Sequence, residues 1–289
     1  MILENYDKTW DFELLDTGDG FRLERWGSVV LARPDPQIIW PRSLPDTDWN
    51  KVNARFIPSR GEDKGHWDVK KPTPNPWTIK FQDCKFLLKL SPFKHTGIFA
   101  EQAAQWKFMI ERLKDSKIER LKILNLFGYT GGATMVLAKK GCFVTHVDAS
   151  RPAITWANEN HKLNDLPEDS VRWILDDAVK FVRRELKRGA TYDGIIMDPP
   201  AFGHSPTGAT WKFNENLPGL LRDCVKLLSP NAKFLIINGY ATNSSALALN
   251  NLLEDTMRGR KGQVEYGELC LKQKTGKMIS TGIFARWQS

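Results

Sequence analysis

The chain has 289 residues, 41% of them hydrophobic and 26% charged, with a formal net charge of +8. That length suits one large core with an appendage, and the composition excludes disordered and fibrous classes. Apolar runs such as Ile195–Met197 and Phe234–Ile237 fall far short of the roughly 20 residues of a membrane span, and the opening residues lack the features of a signal peptide. No membrane association and a cytoplasmic location are therefore expected.

Residues 1–93 read as a β-rich N-terminal extension. The turn Asp16–Gly20 leads into β-rich runs at Phe21–Trp26 and Ser28–Ala32, which predicts a hairpin. Between Arg33 and Pro76 eight prolines predict loop and edge, and Trp77–Leu90 alternates like a second strand pair. Charge is uneven: residues 1–50 hold 5 Lys/Arg against 10 Asp/Glu, whereas residues 51–100 hold 10 against 4. The basic stretch interleaves Trp67, Trp77, Phe81, Phe86 and Phe93, which suits a polyanion whose bases stack. The plain alternative is a solvated basic surface over core aromatics.

From Ile98 the spacing predicts a helix to about Leu113. Strands and helices then alternate: strands Ile123–Phe127, Phe143–Val147, Val171–Leu175, Gly194–Met197 and Lys233–Asn238, with helices near 132–140, 152–163, 178–188 and 217–228. The pattern specifies a doubly wound α/β domain over residues 94–289, with a seven-stranded, mostly parallel sheet. Gln263–Leu271 and Met278–Arg286 predict a C-terminal β-hairpin.

Chemistry-bearing residues cluster at the strand ends. The first strand runs through Phe127, Gly128, Tyr129, Thr130 and Gly131 into a helix, a turn that lets backbone approach a ligand and offers unpaired N–H groups to an anion. Its spacing is not the G-x-G-x-x-G of dinucleotide binders. The second strand ends in Asp148-Ala149-Ser150, where a carboxylate can accept both hydroxyls of a ribose; a helix-capping acid is the alternative. The third ends in Asp176-Asp177-Ala178. Asp177 is favoured to accept from an adenine amino group, with Asp176 a cap or solvated acid. The fourth ends in Asp198-Pro199-Pro200-Ala201-Phe202, whose prolines direct neighbouring carbonyls into the crevice and whose Phe202 suits stacking on a flat substrate.

From about Lys94 onward the chain resembles class I S-adenosylmethionine-dependent methyltransferases related to the bacterial 23S rRNA enzymes of the RlmI and RlmK type. The strings that carry the resemblance are Phe99-Ala100-Glu101-Gln102, Leu126 to Gly132, Val147 to Ser150, Trp156 to Asn160 and Asp198 to Phe202. It implies that Phe99 and Gln102 help line the cofactor site, with Thr130 and Gly131 at the methionine end. It finds no counterpart for residues 1–93, which are offered as a substrate or RNA contact. Cytosine-5 members of the family present a nucleophilic Cys after the fifth strand, where this chain has Asn238-Gly239-Tyr240-Ala241.

The expected function is methylation of an RNA base, rRNA foremost, by in-line transfer from S-adenosyl-L-methionine over Asp198, Pro199, Pro200 and Phe202, with Asp198 orienting the substrate. The alternatives are a protein or small-molecule acceptor and a catalytically inactive RNA-binding relative. Cys84, Cys142, Cys224 and Cys270 show no metal-ligand spacing and are expected to be reduced and buried. No metal is expected, and the acceptor atom is expected to be nitrogen or oxygen rather than carbon 5 of a pyrimidine, which needs a thiolate.

Overall fold

A computed structural model describes residues 1–59, 64–114, 120–204 and 210–289. Arg60 of the basic stretch lies outside the described residues. The strands are β1 (Ile2–Glu4), β2 (Phe12–Gly18), β3 (Phe21–Trp26), β4 (Val29–Pro34), β5 (Ala54–Pro58), β6 (Gly65–Val69), β7 (Trp77–Phe81) and β8 (Cys84–Leu88), with a short helix α1 (Asp46–Trp49) before β5. There follow α2 (Ala103–Leu113), β9 (Lys122–Leu126), α3 (Gly132–Lys139), β10 (Phe143–Asp148), α4 (Arg151–Leu163), β11 (Val171–Leu175), α5 (Ala178–Lys187) and β12 (Gly194–Met197). The chain closes with β13 (Phe202–His204), β14 (Thr210–Lys212), α6 (Phe213–Leu227), β15 (Phe234–Gly239), α7 (Ala246–Thr256), β16 (Gln263–Lys272) and β17 (Met278–Gln288).

These elements form two compact units. One comprises Met1–Glu4, Glu101–Leu269 and Ser280–Ser289; the other comprises Asn5–Ala100 and Cys270–Ile279. Where a single division between residues 93 and 94 was expected, the break falls after Ala100, and each unit takes a short segment from the opposite end of the sequence.

The larger unit is built on an eight-stranded sheet in the order β1-β16-β17-β15-β12-β9-β10-β11. It has one strand more than expected, because Ile2–Glu4 pairs in parallel with Gly267–Leu269. Three residues are too few to show a period, and Ile2 and Leu3 are 36% and 56% exposed, so nothing in the pattern marked them. The pairs β9–β10, β10–β11, β9–β12 and β12–β15 are parallel, and β15–β17 is antiparallel. In β12 and β15, Ile195, Met197, Leu235, Ile236 and Ile237 are fully buried, as expected of parallel strands covered on both faces. Each such side chain contributes roughly 1.5–3 kcal/mol by leaving water. Serines cap two of the helices: Ser150 accepts from Ala153 N–H at the start of α4 and Ser245 from Ala248 N–H at the start of α7. Besides β1, the hairpin β13–β14 and helix α7 were not anticipated.

In the smaller unit β2–β6 form a five-stranded sheet and β7–β8 a two-stranded one. The β2–β3 turn uses Asp19 and Gly20 at φ 52° and 77°, the backbone of a two-residue hairpin turn. The proline-rich stretch holds more order than loop and edge, since β5 and β6 pair from Ala54–Val69 to Pro58–Gly65 in a span where proline stands only at position 58. The interleaved aromatics are mostly core: Phe81 and Phe86 are fully buried, Trp77 is 6% exposed, and only Phe93, at 45%, stands out. The expectation that this set stacks on bases is thereby corrected.

Candidate active site

The order β12-β9-β10 places the topological switch point between β9 and β12, where open α/β sheets bind ligands beyond the carboxyl ends of their strands. The turn after β9 carries Phe127, Tyr129 and Gly131 at φ 56°, 49° and 85°. Positive φ in two non-glycine residues is strain that the surroundings must hold, and it concentrates at functional sites. Three hydrogen bonds from side chains do the holding. Asn125 Nδ2 donates to Thr134 Oγ1 at 2.9 Å, tying β9 to α3. Thr134 Oγ1 is in turn hydrogen-bonded to His146 Nδ1 at 2.8 Å. From α4, Asn160 Nδ2 donates to the Thr130 carbonyl at 2.9 Å.

Glycine is required here for space. A Cβ on Gly128 would lie 2.4 Å from the His146 ring, and one on Gly131 would sit 3.2–3.3 Å from Met135 and Ala157 as well as straining its backbone. The residue before α3 is Gly131, which has no side chain to cap the helix, so its first N–H groups face outward as anion donors.

Asp148, at the end of β10, accepts from Tyr129 N–H through one oxygen and from Ser150 N–H through the other, each at 2.8 Å. Burial raises its pKa, and those two N–H groups pull it back. It is not a helix cap, a task that falls to Ser150 beside Ala149. At the end of β11 the capping acid is Asp177 and not Asp176: Asp177 caps α5 by accepting from Lys180 N–H at 2.9 Å, whereas Asp176 pairs with Arg184 and accepts from Asp177 N–H. Capping uses one oxygen of Asp177 and leaves the other for a ligand; Ala178 is the first residue of the helix.

Asp198 follows β12, and its N–H reaches the Leu126 carbonyl at 3.4 Å, so both strand ends meet there. Its carboxylate accepts from Gln102 Nε2 at 3.0 Å, and Gln102 accepts from Asn238 Nδ2 at 3.1 Å. Loss of hydration pushes the Asp198 carboxyl up to about 7, with the field of Glu101 adding to the effect. Pro199 is buried and Pro200 exposed. The Pro200 carbonyl is already engaged, accepting from the Trp211 indole N–H at 2.7 Å, so it is not the open acceptor expected. Trp211, on β14, also packs against Phe127 with ring centroids 5.0 Å apart. Phe202 is 55% exposed. Phe99 belongs to the smaller unit, where its ring packs against His95. All the other expected residues lie in the larger unit. Sequence reasoning missed Trp211, Gln105 and Arg286, which come from elements remote in sequence and carry no local motif.

Glycine turn, held carboxylate and Asp-Pro-Pro loop together suit a ligand with an anionic end, a ribose and a flat ring, and comparison with known proteins agrees. The S-adenosylmethionine-dependent methyltransferase family matches residues 52–268. The chain belongs to that family. It is thus a methyltransferase enzyme that uses S-adenosyl-L-methionine, on the Rossmann-like fold expected. A solved S-adenosylmethionine-dependent methyltransferase from Agrobacterium tumefaciens is similar over 100% of this chain and 93% of its own, at 39% identity and a TM-score of 0.95. A putative one from Streptococcus mutans, 17% identical, covers 98% of this chain and 76% of its own with a TM-score of 0.72, a likeness of fold. The ribosomal RNA large subunit methyltransferase K/L of Shewanella sp. (strain MR-4) is 35% identical over 160 residues, 53% of this chain. This chain covers only 21% of that relative's length. Among the described residues no helix is long and apolar enough to cross a membrane.

Proposed function

We propose that the chain methylates a base of RNA, with rRNA the first substrate to test. The observation that carries the reading is Asp198, a carboxylate held by Gln102 at the switch point and followed by the exposed ring of Phe202. A carboxylate acceptor beside an aromatic face suits a flat ring bearing an N–H. The rRNA assignment draws on the name of the Shewanella relative, and the basic stretch of residues 51–100 supplies charge for a polyanion. A cytoplasmic location goes with such a substrate.

S-adenosyl-L-methionine supplies an electrophilic methyl group on its sulfonium. The N–H groups at the start of α3 are suited to its carboxylate, and the backbone from Phe127 to Gly131 to close approach. Asp148, with Ala149 and Ser150, is suited to the ribose, and Asp177 with Ala178 to the adenine edge; Gln102 fixes Asp198. The part of Asp198 is to accept the hydrogen of the substrate nitrogen and aim its lone pair, while Pro199 and Pro200 hold the loop rigid.

The acceptor is nitrogen or oxygen. Cys224 lies fully buried in α6 with its thiol pushed up by burial, and burial pushes Cys142 up to about 12. Cys84 and Cys270 are buried in the smaller unit, and none of the four follows β15. The decisive experiment supplies labelled S-adenosylmethionine with rRNA from a strain lacking the gene, then identifies the nucleoside by mass spectrometry. A methylated exocyclic or ring nitrogen is expected. Transfer only to protein or to a small molecule would overturn the RNA reading, and a 5-methylpyrimidine would overturn the nitrogen one.

A further inference from the structure

Asp198 stands at one end of a line of side-chain hydrogen bonds that ends in a buried guanidinium. Arg286 on β17 donates from Nη1 to Gln105 Oε1 at 3.3 Å, and Gln105 Nε2 donates to Asn238 Oδ1 at 3.1 Å. Asn238 Nδ2 then donates to Gln102 Oε1 at 3.1 Å, and Gln102 Nε2 to Asp198 Oδ2 at 3.0 Å. All five residues lie in the larger unit, and Gln105, Asn238 and Arg286 are 0%, 1% and 4% exposed. Arg286 is itself fixed by Glu4 at 2.5 Å and Glu265 at 2.8 Å, with the Phe108 ring 4.0 Å away.

A guanidinium has donors and no acceptor, so the amide that meets it must present oxygen. That amide's nitrogen then points to the next oxygen, and the rule passes down the line until an N–H reaches the carboxylate. A reversed line would set Gln105 N–H against the guanidinium and Gln102 oxygen against Asp198, leaving buried polar atoms unpaired at both ends. We propose that Arg286 is a positioning residue which, through Gln105, Asn238 and Gln102, fixes the direction of this line so that Asp198 always receives a donor and faces substrate as an acceptor. The inference rests on the role of Asp198 proposed above. Glu101 is the charged neighbour that opposes ionisation of Asp198, and the line works against it.

The test titrates Asp198 in the full chain by NMR of aspartate labelled with carbon-13 at its carboxyl, the resonance assigned by its loss in Asp198→Asn. Gln105→Glu keeps its shape and its bond from Arg286 but has no donor for Asn238. The amides of Asn238 and Gln102 then turn over and set oxygen against Asp198. The titration midpoint is expected to rise by about one unit in Gln105→Glu, and by a similar amount in Asn238→Asp. In Arg286→Lys, which keeps a donor-only cation, it is expected to stay in place. An unmoved midpoint in Gln105→Glu, or a rise confined to the nearer Asn238→Asp, would mean that added charge and not amide direction matters, and overturns the proposal. Near-ultraviolet circular dichroism checks folding. Should Gln105→Glu not fold, Arg286→Gln replaces it, since glutamine can present either end; a midpoint that does not rise there overturns the proposal equally. The titration needs no acceptor substrate, so failure of the methylation reading in the rRNA assay leaves this result standing.

Discussion

At the scale of the residue, Asp148 keeps a half-buried carboxylate in place with two backbone N–H groups, and each oxygen retains a lone pair for a ligand. Asp148→Ala removes those acceptors and frees Tyr129 from its anchor. Calorimetry with S-adenosylhomocysteine is expected to show binding weakened by about 1–3 kcal/mol. Unchanged affinity would take Asp148 out of the site. His146 beneath the turn governs stability instead. Burial lowers its pKa from 6.5 to about 3, partly offset by the Tyr129 backbone. Between those values the unfolded chain takes up a proton that the folded chain refuses, so stability falls as pH drops from 6.5 toward 3, by an amount on the order of several kcal/mol. Urea unfolding of His146→Gln from pH 4 to 7 is expected to lose about one proton's worth of that slope. Asp198 acts with the opposite sign. Its folded pKa of about 7 lies above the ordinary 3.8, so ionising it costs stability as pH rises through that window.

At the scale of the element, β1 shows how closely backbones approach in the larger unit. A Cβ on Gly267 would fall 1.8 Å from the Ile2 carbonyl oxygen, a backbone atom that cannot swing aside as a side chain can. Gly267→Ala is therefore expected to push β1 off the sheet edge and lower stability by about 1–3 kcal/mol, with faster amide exchange at Leu3 and Glu4 as the local sign. The alternating strands and helices from β9 to β15 were legible because each strand is an apolar run and each helix carries one apolar stripe. Helix α7 escaped notice because Ala246–Thr256 follows a turn and lies where the expected alternation had already ended in a hairpin. The hairpin β13–β14 has three residues per strand, too few to show a period, yet it delivers Trp211 to the Pro200 carbonyl. Within the candidate site, local motifs marked the glycine turn, Asp148 and Asp198. The line behind Asp198 was not legible, since Gln105 and Arg286 are 181 positions apart and only the folded sheet joins them.

At the scale of the whole molecule, residues 51–100 of the smaller unit, with 10 Lys/Arg against 4 Asp/Glu, form a basic stretch beside the acidic residues 1–50, with 5 against 10. On β7 and β8, Lys80 and Lys85 sit directly opposite each other, which sets two positive charges side by side on one face. Lys71 is exposed, and Lys70 pairs with Asp68 at 2.6 Å. RNA affinity is expected to fall steeply with salt, and replacing Lys71 and Lys80 by glutamine is expected to flatten the slope of log affinity against log salt by about 1 to 2. Filter binding from 50 to 300 mM salt would measure it, and a salt-independent affinity would turn attention to the uncharged acceptors.

The pairing of Ile2–Glu4 with Gly267–Leu269 also bears on how the protein is made. A chain leaves the ribosome from its N-terminus at roughly 5–20 residues per second, so β1 waits on the order of tens of seconds for the strand beside it. Glu4 waits slightly longer for Arg286, and residues 5–100 for Cys270–Ile279. Neither unit is complete until residues 270–289 have left the ribosome. Until then β1 and the strand edge it joins stay unpaired, and contacts that distant in sequence make folding slow for a chain with this much helix.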